Sequence, residues 1–136
     1  MNNLEQTLSI IKPDAVERNL VEEIRDIFIK NNLKIKDSKK IRITKEEAAE
    51  FYKVHQSKPF YNDLCTYLSS GPIVVMILEG NDGVKVNRKL MGSTNPKDAE
   101  ENTIRKLYGI STDKNSVHGS DSIENAKKEI KFFFKN

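Results

Sequence analysis

The chain has 136 residues and a single cysteine, Cys65. That one thiol excludes an internal disulfide framework and a thiolate zinc site, since both need further sulfur ligands. Charge of one sign is not in surplus: 23 Lys and Arg stand against 20 Asp and Glu, for a net charge of +3. A domain specialised for duplex phosphate carries a basic stripe, so nucleic acid is not an expected partner and any preference for anions must come from local placement. Long hydrophobic runs are also missing. The longest, Ile73 to Leu78, has six residues, far below the ~18 that cross a bilayer, and no membrane partner is expected. Met1-Asn2-Asn3-Leu4-Glu5-Gln6 has neither the basic nor the apolar segment of a secretory signal, so the cytoplasm is the expected compartment. Neither G-x-x-x-x-G-K-S/T nor G-x-G-x-x-G occurs. A phosphate site in this chain has to be built without a glycine cradle.

What is present is enough to fold. With 37% hydrophobic and 32% charged residues, the composition is that of a globular protein, and residues 1–136 are read as one domain. Thr7 to Ile11 is short and β-branched and stops at Lys12-Pro13, which predicts a strand. Leu20, Val21, Ile24, Ile27 and Phe28 fall at helical spacing. Leu33 and Ile35, then Ile41 and Ile43, alternate with basic residues as in a half-buried strand, and polar Asp37 to Lys40 predicts a bulge or twist in its middle. Thr44 with Glu47 is a capping box for a helix whose face is Ala48, Phe51, Val54 and His55. Phe60 to Leu68 reads as a further helix.

Ile73 to Leu78 is almost continuously apolar, as in a strand covered on both faces or facing a partner chain. A helix carrying Val84, Val86, Arg88, Leu90 and Met91 follows, then a long loop from Gly92 to Asn102. Val117 belongs to a short strand, and Asp121 with Glu124 resembles the start of a last helix with Ile123, Ala126, Ile130 and Phe133 on its face. This order is that of a βαββαβ α+β sandwich, a four-stranded antiparallel sheet covered by helices, which in this arrangement pack on one face.

Two groups of residues could carry chemistry. Asn115-Ser116-Val117-His118-Gly119-Ser120-Asp121-Ser122 sets a histidine among small hydrogen-bonding residues; it reads either as an incidental surface histidine or as a nucleophile or proton carrier. Glu129, eleven residues on, lies at the edge of the last helix's apolar face. It is either a solvated charge or a carboxylate that orients the imidazole through one ring nitrogen and leaves the other free. Gly119 removes side-chain bulk beside the ring, as an approaching phosphoryl group would require. The second group is cationic: Lys12, Arg88 and Arg105, with Thr94 in the loop. Singly each is a solvated charge, whereas together they form a fork-type polyphosphate clamp. Phe60 is either core or an exposed face on which a base stacks without its edges being read. His55, three residues from Tyr52 on the same helix, either lines the nucleotide cleft or is structural, and as an edge-of-face histidine it is read as structural.

These residues resemble the nucleoside diphosphate kinases nearly end to end. The motifs are Thr7 to Arg18, Lys58-Pro59-Phe60-Tyr61, Ser70-Gly71-Pro72, Gly92-Ser93-Thr94-Asn95-Pro96, Thr103-Ile104-Arg105 and Asn115 to Ser122, in the family's order and spacing. The resemblance implies a ferredoxin-like fold and a ping-pong exchange in which His118 takes the γ-phosphate of a nucleoside triphosphate and passes it to a diphosphate. ATP, GTP, GDP and deoxy forms are the implied substrates. It further implies that Glu129 orients His118, that Lys12 contacts the transferring phosphoryl and the ribose, and that Asn115 holds the sugar. Tyr52 and Ser120 flank the histidine, Arg88, Thr94 and Arg105 grip the phosphates, and Phe60 stacks the base. Mg²⁺ is implied as the cofactor, bridged through nucleotide phosphates with no protein ligand of its own. A homo-oligomer is implied, with hexamer, tetramer and dimer left open.

The chain departs from the family where Ala99-Glu100-Glu101-Asn102 replaces the usual Ala-x-Pro-Gly, and at Leu107, where aspartate is common. Asn tolerates positive φ, so the turn at Asn102 is expected to survive. These changes bear on the loop path and subunit contacts and not on the catalytic set. Two other readings compete. One is a catalytically idle member of the fold that binds nucleic acid or protein through Lys12, Arg18, Arg88 and Arg105. The other is a phosphocarrier histidine domain, which leaves Phe60, Asn115 and the Arg88/Thr94/Arg105 set without a purpose.

Overall fold

The longest apolar run of the chain, Ile73 to Leu78, falls in a central strand and pairs with the first strand. In a computed structural model, which describes residues 4–112 and 114–134, β1 (Leu4–Ile11) lies antiparallel to β3 (Ile73–Asn81), from Leu4 opposite Asn81 to Ile11 opposite Val74. β2 (Lys34–Ile41) adds to the outer side of β3, and the three-residue β4 (Val117–Gly119) to the outer side of β1. The sheet order is β2-β3-β1-β4, antiparallel throughout. The helices are α1 (Pro13–Glu17), α2 (Val21–Lys30), α3 (Lys45–Phe51), α4 (Tyr61–Leu68), α5 (Gly83–Met91), α6 (Ile104–Tyr108) and α7 (Ile123–Phe133), with 3₁₀ turns at Lys53–His55 and Pro96–Asp98.

The helices cover both faces of the sheet, not one. Val74, Met76 and Leu78 of β3 pack with Ile24 and Phe28 of α2 and Met91 of α5. Ile73 and Val75, pointing the other way, pack with Ala48 of α3, Cys65 and Leu68 of α4 and Phe133 of α7. The continuous apolar run of β3 requires this, because successive side chains alternate faces and neither face can be left wet. The covering comes from the chain's own helices, which settles the choice left open for this strand.

Other boundaries shift for local reasons. β1 starts at Leu4 rather than Thr7, its polar first residues paired along β3. Pro13 does not only end β1; it opens α1, where its missing N–H is no loss. The irregularity in β2 lies between Ile35 and Asp37. Thr44 and Glu47 form the full capping box, Glu47 N–H donating to Thr44 Oγ1 at 3.0 Å and Thr44 N–H to Glu47 Oε1 at 2.9 Å. The helix they start ends at Phe51, so Val54 leaves the apolar face and is 80% exposed. Helix α6, which no apolar periodicity announces, is started by Thr103, whose Oγ1 accepts from Lys106 N–H. Ser122, not Asp121, caps α7: its Oγ accepts from Asn125 N–H at 3.0 Å, and Ile123 is exposed, so the buried face begins at Ala126.

Removing the capping hydroxyl with Thr44→Ala is expected to cost about 1 kcal/mol. In urea unfolding the midpoint should fall while the slope is unchanged, since no additional surface is exposed.

Candidate active site

The histidine is placed by a strand too short to stand alone. β4 is held on β1 with Ile10 opposite His118 and Ser9 opposite Gly119. Gly119 serves a different purpose from the one expected. A Cβ there would run into Asn87 Nδ2 and would meet Met91 Cε at 2.8 Å. The missing side chain lets α5 lie close on β4, and α5 carries Arg88.

His118 Nε2 lies 3.0 Å from Glu129 Oε1, and the same oxygen accepts from Ser120 Oγ at 2.8 Å. Ser120 is fully buried and does not face the cleft. Its hydroxyl also accepts from Leu8 N–H at 3.2 Å, and its own N–H donates to Leu8 O. The carboxylate is therefore referenced to β1 through Ser120, and the imidazole to the carboxylate. With Nε2 facing Glu129, the proton is assigned to Nε2 and Nδ1 is the unprotonated nitrogen. The ring also meets the edge of Phe51, with centroids 5.3 Å apart. Phe51 has no place among the sequence-predicted site residues, although its helical position beside Tyr52 puts it at the site.

The histidine opens onto a cleft of about 820 Å³. Lys12, Tyr52, Phe60, Arg88, Thr94, Arg105, Asn115, His118 and Glu129 line it, so every predicted site residue except Ser120 meets this space. Lys12 is buried and its Nζ donates to Asn115 Oδ1 at 2.9 Å. Asn115 Nδ2 donates to Thr94 O at 3.1 Å and to Thr112 O at 2.9 Å, which ties two loops together. Arg105 is clamped by backbone: Nη1 donates to Gly92 O at 3.0 Å and Nη2 to Val117 O at 2.9 Å. Burial, and after it the nearby Arg88 guanidinium, lowers its pKa to about 10. It remains charged at neutral pH.

Tyr52 caps the end of α3 and is buried. Burial, with Cys65 and Glu129 adding to it, pushes its phenol well above the ordinary value, so it enters the site as a neutral hydroxyl. Phe60 is 42% exposed at the mouth, which decides between the two readings of this ring in favour of an available face. His55, read from sequence as structural, also lines the cleft. Its ring lies between Tyr52 (6.2 Å) and Phe60 (6.0 Å), and its buried Nδ1 has no hydrogen-bond partner. The three-residue spacing from Tyr52 was the available signal. Asp121 lines the cleft too, its pKa lowered first by a hydrogen bond from Asn125 Nδ2 and further by Arg88 and His118.

Among the described residues no three His, Cys, Asp or Glu side chains converge as metal ligands. The cleft instead holds fixed cations and two exposed carboxylates, Glu50 and Asp121, beside the histidine-bound Glu129. That donor set does not enclose a bare divalent ion, and it fits one carried in on a polyphosphate. In the long loop, Asn102 takes a φ of 68°, so the turn at the departure from the family pattern forms with asparagine. No helix among the described residues is long and apolar enough to cross a membrane.

The family described as Nucleoside diphosphate kinase matches residues 5–136. The nucleoside diphosphate kinase of a Nitratiruptor species is 56% identical over 131 residues, 96% of each chain. That of Helicobacter hepaticus is also 56% identical over 131 residues, again 96% of each chain. Among solved structures, a crystal form of the Aquifex aeolicus nucleoside diphosphate kinase superposes with a TM-score of 0.96 at 43% identity, covering 98% of this chain and 96% of that one. The apo enzyme from Encephalitozoon cuniculi gives 0.94 at 40% identity, covering 97% of this chain and 90% of that one.

The geometry at His118 predicts its tautomer. Long-range ¹⁵N–¹H correlation at mildly alkaline pH should show Nε2 protonated and Nδ1 bare. Glu129→Ala should mix the two forms, and it should destabilise the fold by about 1–3 kcal/mol because Ser120 Oγ loses its acceptor.

Proposed function

This chain belongs to the nucleoside diphosphate kinase family, whose enzymes move the γ-phosphate of a nucleoside triphosphate to a nucleoside diphosphate, and from that premise we propose that His118 carries the phosphoryl group. The observation that carries this reading is the pairing of Nε2 with Glu129, which leaves Nδ1 as the nucleophile facing the cleft. Its lone pair attacks the γ-phosphorus and the bond to the β–γ bridging oxygen breaks. The diphosphate leaves, and the incoming diphosphate reverses the step with its own β-phosphate oxygen. Glu129 stabilises the positive charge that grows on the ring, and Ser120 holds Glu129.

The remaining roles follow from placement. Lys12 meets the transferring group and, through Asn115, the sugar; Arg88, Thr94 and Arg105 hold the phosphates; the Tyr52 hydroxyl stands beside the reacting centre. A transfer between phosphates depends on positioning and charge neutralisation, which fixed cations in a partly buried cleft supply. Phe60 offers a face and no edge-reading group, so base selectivity is low. Mg²⁺, if it enters on the nucleotide phosphates, would supply positive charge there, and Asp121 at the cleft would accept hydrogen bonds from its hydration waters. Residues 1–136 act as one catalytic domain. The free thiol and the nucleotide substrates favour the cytoplasm. The outer edge of β2, which no strand among the described residues pairs, and the exposed Ile29, Leu107 and Ile110 favour a homo-oligomer, hexamer or tetramer. The reading of an idle binding module is not supported.

Incubation with γ-labelled ATP and Mg²⁺ should leave an acid-labile, base-stable label on the protein that GDP removes as GTP. His118→Ala should abolish the label while ADP still binds; label within tenfold of the wild type would reassign the nucleophile. Arg105→Ala should weaken ADP binding by about 1.5–3 kcal/mol, through loss of charge-assisted contacts.

A further inference from the structure

Five non-glycine residues among those described have positive φ, and four are Asn or Asp, which tolerate it. The fifth is Ser116, at φ 75°. The N–H of Val117 closes on the carbonyl of Asn115 at 2.9 Å across it. A bond between residues two apart with a central φ near +75° is the rare and strained form of γ-turn. Such strain persists only where the surroundings impose it. This turn stands between Asn115 and the strand that carries His118, and the carbonyl of Ser116 accepts from Lys12 N–H at 2.8 Å.

The surroundings that impose it lie on the side of the chain away from the cleft. Ser116 is fully buried, and its Oγ donates to Asp14 Oδ2 at 3.0 Å. Asp14, itself buried, accepts at its other oxygen from the Tyr67 hydroxyl, which in turn accepts from Asp14 N–H at 2.8 Å. Arg18 Nη2 donates to Asp14 Oδ2 at 3.2 Å and also to Tyr108 O. The serine is thus bonded to an α1 carboxylate that Tyr67 of α4 and Arg18 hold, and Arg18 is tied in turn to the end of α6 through Tyr108 O. None of these groups touches the reacting atoms.

We propose that Ser116 is a positioning residue whose hydroxyl, anchored on Asp14, Tyr67 and Arg18, holds a strained γ-turn and thereby aims Lys12 and Asn115 at the transferring phosphoryl and the sugar. The inference rests on the site reading given above. Two substitutions separate strain from simple bonding. Ser116→Ala keeps the Cβ and loses the anchor, whereas Ser116→Gly loses the anchor and needs none, because glycine takes positive φ freely.

The rate of phosphohistidine formation from ATP and Mg²⁺ should fall about tenfold in Ser116→Ala with the KM for ATP little changed, as loss of one charge-assisted hydrogen bond implies. Ser116→Gly should stay within about twofold of the wild type. A residue that only stabilises the fold would lower the melting temperature of the variants and leave the phosphorylation rate of the folded protein unchanged. Tyr67→Phe provides a second route: it should slow phosphorylation in the serine background and have little effect in the glycine background. Equal rates for the alanine and glycine variants, together with an equal effect of Tyr67→Phe in both backgrounds, would overturn the proposal. Lys12→Ala, assayed alongside, distinguishes this from failure of the site reading, since wild-type phosphorylation in that variant would overturn the role of Lys12 itself.

Discussion

One carboxylate oxygen, Glu129 Oε1, accepts from both the imidazole of His118 and the hydroxyl of Ser120. Through Ser120 it is joined to the backbone of Leu8, and through its own helix to the core around Phe133. The orientation of the nucleophile is consequently set by the register between β1 and β4 and by the seating of α7, not by the histidine's own rotamer preference. A one-residue slip of β4 would turn His118 to the opposite face and put a valine or glycine in its place. The three residues of β4 are enough because Gly119 admits α5 from one side while Glu129 closes the other.

The cleft holds its charges at a cost before any substrate arrives. Arg105 is partly desolvated next to Arg88, and Lys12 is buried beside Asn115. Backbone carbonyls of Gly92 and Val117 and the amide oxygen of Asn115 share the burden as neutral acceptors. None of these acceptors carries a formal charge, so they solvate the cations and leave a field that phosphate is suited to satisfy. A glycine-rich loop meets phosphate with backbone N–H groups. This fold meets it with side chains from separate elements.

Much of this was legible in the sequence because it is local. The apolar runs of β1 and β3, the capping box at Thr44 and Glu47, and the histidine among small residues all depend on neighbours a few positions away. The rest is tertiary. That helices cover both faces follows from where α3, α4 and α7 pack, which no single periodicity encodes. Helix α1 was hidden behind Pro13, and α6 is too short to show a period. Ser122 displaced Asp121 as the cap of α7 because the aspartate is engaged by Asn125. Gly119 looked like room for a substrate and is room for α5. His55 reads as structural from its place at the edge of a helix face, but α3 stops at Phe51 and the 3₁₀ turn at Lys53–His55 leaves the ring lining the cleft.

The groups around the cleft come from the junction of β1 and α1, α3 and the turn after it, α4, α5, the loop beyond it, α6, β4 and α7, spanning residues 12 to 132. No fragment of the chain holds enough of them to bind a nucleotide, so affinity belongs to the folded state alone. Ligand at a hundred times its dissociation constant then adds about 2.7 kcal/mol to the stability of the entire chain, not of one loop. Resistance to unfolding and to proteolysis therefore rises and falls with the nucleotide supply, and the lifetime of the protein becomes a readout of the pool it maintains.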